Sequence, residues 1–244
     1  FEAVGQVSDV ISCSWGPPPV NAALTTPLAD TIHRIATQAG PRGKGCVICF
    51  AASNFNAPIN APADPNGFVW LNPTTRRREI TTDAIVNGYA AHPDVIAVAA
   101  STSLNQHAAY SNWGQEISVC APSNNSHPLN PNIFVPGLGI WTMLDQGFSS
   151  NSTPAGYTSS FGGTSSATPI VAGVAALVLS ANPDLSAAEV KDILQTTADK
   201  IVDTDSDLAG TERGTYDSNG RSLWFGYGKV NAEKAVLEAM RRHP

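Results

Sequence analysis

From Phe161 to Ser180 the chain reads FGGTSSATPIVAGVAALVLS, a polar, glycine-rich turn running into a segment that is apolar or small on every side. A helix without a polar face has to be covered all round. The pattern therefore predicts a helix buried at the centre of a layered domain, opening at Ser165. Continuous apolar runs of strand length occur in DVISCSW (9–15), CVICFAA (46–52), DVIAVAAS (94–101) and EISVCAP (116–122). Such runs suit parallel strands covered on both faces.

Helical spacing appears between them. LADTIHRIATQA places Leu28, Ile32, Ile35 and Ala39 on one face and stops at GPRGKG. NPDLSAAEV starts another helix, with Ser186 and Glu189 at capping-box spacing and Val190, Ile193 and Leu194 on its apolar face. A last amphipathic segment follows Lys229. Strands alternating with helices predict an α/β domain with a mostly parallel sheet flanked by helices. Two intervals, about 55–92 and 124–139, are expected as surface excursions. The first carries TTRRRE (74–79), read as a solvated loop tip or as a processing site for a protease that cuts after basic residues.

With a net charge of −6 and no long basic run, neither nucleic acid nor an anionic membrane is the expected partner. No uninterrupted apolar stretch reaches the roughly 18 residues of a membrane span. Cys13, Cys46, Cys49 and Cys120 lie in strand-like runs, and Cys46 and Cys49 should face opposite sides of one strand. Buried free thiols are expected rather than a metal or redox motif.

Ser165 is placed as a nucleophile would be, but by itself it fits a helix cap equally well. A serine hydroxyl needs a base and donors for the oxyanion it creates. The α/β-hydrolase elbow G-x-S-x-G fails here, because Ala167 stands at the last glycine and GYTSSFG before it is polar rather than strand-like. GTSSATP (163–169), followed by VAGVAALVL, instead resembles the nucleophile motif of the subtilisin-like serine proteases. DVISCSWG is similar to the family strand whose Ser-x-Gly edge pairs with an extended substrate, and SCSWGP leans towards the kexin and furin branch. CFAASNFN resembles the strand that ends in the family's oxyanion asparagine. HPDVIAVAAS, YSNWG, CAP, NPDLSAAEVKDIL and GYGKVNAEKAV follow in the family's order.

The resemblance implies a serine endopeptidase acting on peptide or protein substrates. Ser165 would attack, and Asn54 with the Ser165 backbone N–H would hold the oxyanion. Ser14, Trp15, Gly16, Ala52 and Ser53 would bind substrate. The family order is Asp, His, Asn, Ser, so the first two should precede Asn54 in motifs similar to D-[ST]-G and H-G-T. Neither motif occurs. Asp9 and Asp30 lack that context, His33 sits on a predicted helix, and His92, His107, His127 and His243 all follow Asn54.

FEAVGQVSDV opens in what reads as the tail of a helix, directly before a strand. Residues 1–244 are therefore expected to be the C-terminal portion of one subtilisin-like peptidase domain. The fold would be incomplete without a separate N-terminal fragment that carries the aspartate and histidine. An inactive scaffold or binding module is the alternative.

Asp64, ten residues after Asn54, stands near the place of an acidic pocket residue in furin-like and kexin-like enzymes, which implies a preference for basic side chains at P1. A plain loop aspartate is the other reading, and Asn112 in YSNWG replaces an expected acidic calcium ligand. Calcium is common in the family, and Asp203, Asp205 and Asp207 in DTDSD would suit a hard cation. A solvated acidic loop is the alternative there.

Overall fold

The computed structural model describes residues 1–143, 156–205 and 212–242, so Asp207 and His243 lie outside the described residues. The first half of the chain forms α1 (Glu2–Val7), β1 (Val10–Cys13), β2 (Asn21–Ala22), α2 (Thr26–Gln38), β3 (Val47–Ala51), β4 (Asn60–Ala61), β5 (Phe68–Leu71), β6 (Arg78–Thr81), β7 (Ile85–Asn87) and β8 (Val95–Ser101). The second half forms β9 (Ile117–Pro122), β10 (Ile140–Met143), β11 (Tyr157–Phe161), α3 (Thr164–Ala181), α4 (Ala187–Thr196) and α5 (Ala232–Arg241).

Strands β1, β3, β8 and β9 pair in that order, all parallel. Every residue of β3 and β8 is buried, as continuous apolar runs require of central parallel strands. Alternation along β3 divides the core. Val47 and Cys49 face Val171, Val174, Ala175 and Val178 of α3 and Val190, Ile193 and Leu194 of α4. Ile48 and Phe50 face Ile32, Ile35 and Ala36 of α2. Cys46 and Cys49 accordingly fall on opposite sides, and all four cysteines are buried and free. Burial pushes the Cys13 thiol up to about 11 and those of Cys46 and Cys120 to about 12, so none offers a thiolate near neutral pH.

Three expectations need correction. First, α3 is not buried all round. Its inner face packs on β1, β3, β8 and β9, whereas Pro169, Gly173, Ala176, Leu177 and Ser180 form an exposed stripe, with Leu177 at 53% exposure. The helix has the length and apolarity of a membrane span, contrary to the count of uninterrupted apolar residues, yet it serves as a core helix. Second, Tyr157–Phe161 is a strand despite its polarity, because it pairs only with β10 in a two-stranded ribbon that leaves alternate residues in water. Third, the interval 55–92, expected as a surface excursion, carries paired strands and lends residues to the core. β7 lies between β2 and β4, β5 pairs with β6, and Ala57, Ile59, Trp70, Ile85 and Ala90 are buried.

Candidate active site

Ser165 is the second residue of α3, immediately after a turn that only glycine accommodates easily: Gly163 has φ +79° and serves as the N-cap. Gly163 is gripped on both sides. Its N–H donates to Tyr110 Oη and to Asn124 Oδ1, each at 3.1 Å, and its carbonyl accepts from Ser123 Oγ at 2.8 Å. Burial pushes Tyr110 up to about 12, which keeps it a neutral phenol, and its hydroxyl donates to Ser123 Oγ at 2.7 Å. Tyr110 of YSNWG, with Ser123 and Asn124 directly after CAP, thus sets the turn from which Ser165 projects.

Asn54 follows β3 and meets that turn. Its Oδ1 accepts from the Thr164 N–H at 2.7 Å and from Thr164 Oγ1 at 3.0 Å. A backbone N–H can only donate, so the oxygen must face it. Nδ2 is left with no partner among the described residues, as an oxyanion donor should be. The loop beyond is pinned by the buried Asn112, whose Oδ1 accepts from the N–H groups of Phe55 (2.9 Å) and Ala57 (3.1 Å). Ser53 adopts φ +82°, a left-handed conformation that costs a serine roughly 1–3 kcal/mol and collects at functional sites.

Ser165, Asn54, Ser14, Trp15, Gly16, Ala51, Ser53, Phe55 and Thr164 line one cleft of about 210 Å³. Ser14 and Ser165 are tied reciprocally. Ser14 Oγ donates to the Ser165 carbonyl at 2.9 Å, and Ser165 Oγ donates to the Ser14 carbonyl at 3.2 Å. Trp15 is half exposed, with edge contacts to Phe50 and Tyr89 at 5.0 and 4.7 Å. The positive end of the α3 dipole faces the same space.

Ala52 is a correction. It is fully buried beside Ile59 and Ala90, and Ala51 lines the cleft instead. Residues two apart share a face of a strand, so Ala51 and Ser53 point into the cleft and Ala52 points away. Asp64 is not in the lining either. Its Oδ1 accepts from Asn66 N (2.9 Å) and Nδ2 (3.2 Å), and it borders a second cavity of about 240 Å³ with Asp83, Phe68 and Trp113. Asn87 was missed. It is buried with Nδ2 3.4 Å from Ser53 Oγ, and a side chain at Gly16 would meet both groups. No periodicity or motif marks Asn87, because distant segments bring it there.

None of the four described histidines lines the cleft. His33 Nδ1 pairs with Asp94 at 2.7 Å, and His92 Nε2 contacts the Ala29 carbonyl at 3.2 Å. His127 Nδ1 accepts from Leu129 and Asn130, while His107 is buried edge-on to Trp224. The aspartate-rich segment does not fit a metal in its described part. Asp203 is buried, and its carboxylate accepts from the backbone N–H groups of His107 (2.8 Å) and Asp205 (3.0 Å). Among the described residues no three His, Cys, Asp or Glu side chains converge on a metal position.

Comparison with known proteins places this geometry. The sequence profile of the subtilase (peptidase S8) family matches residues 2–228. A "Calcium-dependent protease" of Nostoc sp. is 39% identical over 257 residues, covering 97% of this chain and 33% of its own length. A "Subtilisin" of Bacillus pumilus is 34% identical over 150 residues, covering 61% of this chain and 40% of its own length. The chain therefore spans about a third of the calcium-dependent proteases it matches. The crystal structure of a serine protease of Aeromonas sobria superposes with a TM-score of 0.66 at 19% identity, over 97% of this chain and 44% of that one. That likeness concerns the fold alone. The lean towards kexin and furin finds no support among these relatives. The profile match, the subtilase-like parallel sheet and the Ser165–Asn54 cleft agree: this chain belongs to the subtilase family.

Proposed function

We propose that this chain is the nucleophile-bearing part of a serine endopeptidase. One observation carries the reading: Asn54 Oδ1 is locked by Thr164, so Nδ2 is free in the cleft that holds Ser165. Ser165 Oγ attacks the scissile carbonyl of a peptide laid along Ser14–Gly16. The Ser165 N–H and Asn54 Nδ2 hold the oxyanion. The base comes from a segment beyond these residues that brings an aspartate and a histidine. Two surfaces support such docking: the unpaired edge of β1 and the apolar stripe of α3 centred on Leu177. Without that segment the Ser165 hydroxyl stays on the Ser14 carbonyl, which favours an inactive scaffold as the reading for the chain alone.

The described cleft lining holds no carboxylate, which favours an uncharged P1 side chain over a basic one. Equal effects of Asp64→Ala on arginine and leucine substrates would agree with that, and a selective loss on arginine would restore the basic preference. The relatives' names make calcium dependence a property to test through the melting temperature with and without chelator, and no step here is routed through the ion.

A fluorophosphonate tests the central reading. We expect Ser165 to be labelled when the base-bearing segment is present and not when this chain is alone. Unlabelled Ser165 in the assembled protein would leave the scaffold reading standing.

A further inference from the structure

The β5–β6 ribbon stands beside the cleft. Trp70 on its inner face meets Phe55 edge-on at 5.4 Å, and Phe55 lines the cleft next to Asn54. Trp70 Nε1 donates to Thr81 Oγ1 at 3.1 Å, and that hydroxyl donates to the Pro19 carbonyl at 2.5 Å, three residues beyond Gly16. The root of the ribbon is thereby fixed to Phe55 of the cleft and to the segment that follows Gly16.

Its outer face and tip have no such attachments. Val69 lies opposite Ile80, and Leu71 lies opposite Arg78; Ile80 is 64% exposed. The turn is held by Asn72, whose Oδ1 accepts from Thr74 N (2.9 Å) and Thr75 N (3.0 Å), and Arg76 takes φ +57° at its apex. Arg76, Arg77 and Arg78 are all exposed. Among the described residues, ion pairs engage Arg34, Arg42, Lys44, Lys234, Arg241 and Arg242, but none of these three arginines. The nearby carboxylates serve their own loops: Glu79 accepts from Asn72 Nδ2 at 2.6 Å, and Asp64 accepts from Asn66. On a chain with 14 cationic and 20 acidic side chains, three consecutive unneutralised guanidinium groups on a preorganised turn form a local field opposite to the net charge.

Resting on the endopeptidase reading above, we propose that this ribbon is an exosite that selects polypeptide substrates carrying acidic residues further along the chain from the bond held over Ser165. Guanidinium forks suit carboxylates, and Val69 and Ile80 offer an apolar strip for neighbouring side chains. A polypeptide is favoured over other polyanions because the ribbon is anchored to the cleft and the molecule as a whole is negative. Three cations are also few for a phosphate backbone.

The test uses the whole protease with its base-bearing segment. Two fluorogenic peptides share the residues around the cleaved bond and differ in carrying aspartates or glutamines further out. The acidic peptide should show a KM about three- to tenfold lower with similar kcat, an advantage eroded by salt. The variant R76Q/R77Q/R78Q should lose the advantage, R77E/R78E should invert it, and both should turn over the glutamine peptide normally. The Ser165→Ala protease should bind the labelled acidic peptide with the same preference by fluorescence anisotropy, so the exosite is read even where cleavage fails. Cleavage of both peptides with a ratio indifferent to the arginines overturns the exosite alone. Preferential capture of an oligonucleotide or an anionic vesicle by the arginines overturns it as well.

Discussion

At the scale of single residues, the site works by leaving one donor unused. Thr164 takes both bonds that Asn54 Oδ1 accepts, which leaves Nδ2 in the cleft where, on the proposed reading, negative charge develops. Asn54→Ala should therefore lower kcat by about 10²–10³ with little change in KM, the order found for such a donor in subtilisin; steady-state kinetics of the assembled protease would check this. His107 makes a different prediction. Both ring nitrogens lack hydrogen-bond partners among the described residues, and burial, with the Arg213 charge behind it, pushes the imidazole down from 6.5 to about 3. The unfolded chain binds a proton in that interval and the folded chain refuses it, so stability falls as pH drops. The contribution is complete above pH 6.5 and shrinks by roughly 1.4 kcal/mol per pH unit below it. Urea midpoints between about pH 4 and 7 should show that slope, and His107→Phe should flatten it.

Among the elements, α4 was the most legible from its letters. Ser186 and Glu189 form the reciprocal cap their spacing implies: Ser186 Oγ accepts from Glu189 N at 3.3 Å, and Glu189 Oε2 accepts from Ser186 N at 2.8 Å. Those bonds hold the Glu189 carboxyl below its usual range. Ser186→Ala should cost about 1 kcal/mol in chemical denaturation, without touching the cleft. Caps are legible because donor and acceptor are three residues apart. The strand β11 was hidden for the opposite reason. A two-stranded ribbon asks little of its side chains, and the partner strand β10 confers its structure. Along the end of β3 the period of two turns the Ala52 side chain into the core and leaves Ala51 and Ser53 on the cleft.

Considered as a whole molecule, the chain carries two surfaces on which the proposed base-bearing segment would dock. The stripe on α3 and the free edge of β1 both carry surface that a parallel α/β core normally covers. Docking of the base-bearing segment there should raise the melting temperature, by an amount that grows with the logarithm of its concentration above Kd. Leu177→Lys should abolish that rise and the labelling of Ser165 while leaving the melting temperature of the chain alone nearly unchanged, since Leu177 is exposed in it. Differential scanning calorimetry with and without the segment would decide.

Local chemistry written in the letters alone determined the parallel-strand and helix alternation, the capping box and the buried thiols, while the pairing of Ser165 with Asn54 came from ordered motifs that resemble those of the family. Each depends on neighbours a few residues apart or on a short string that can be read in isolation. Tertiary structure alone decided that Asn87 approaches Ser53, that Asp64 turns to its own loop away from Ser165, that Asp203 holds backbone amides, and that the ribbon carrying three exposed arginines is anchored through Trp70 to Phe55 of the cleft. Those outcomes depend on which distant segments meet, and contact across tens of residues leaves no periodic trace in a single sequence.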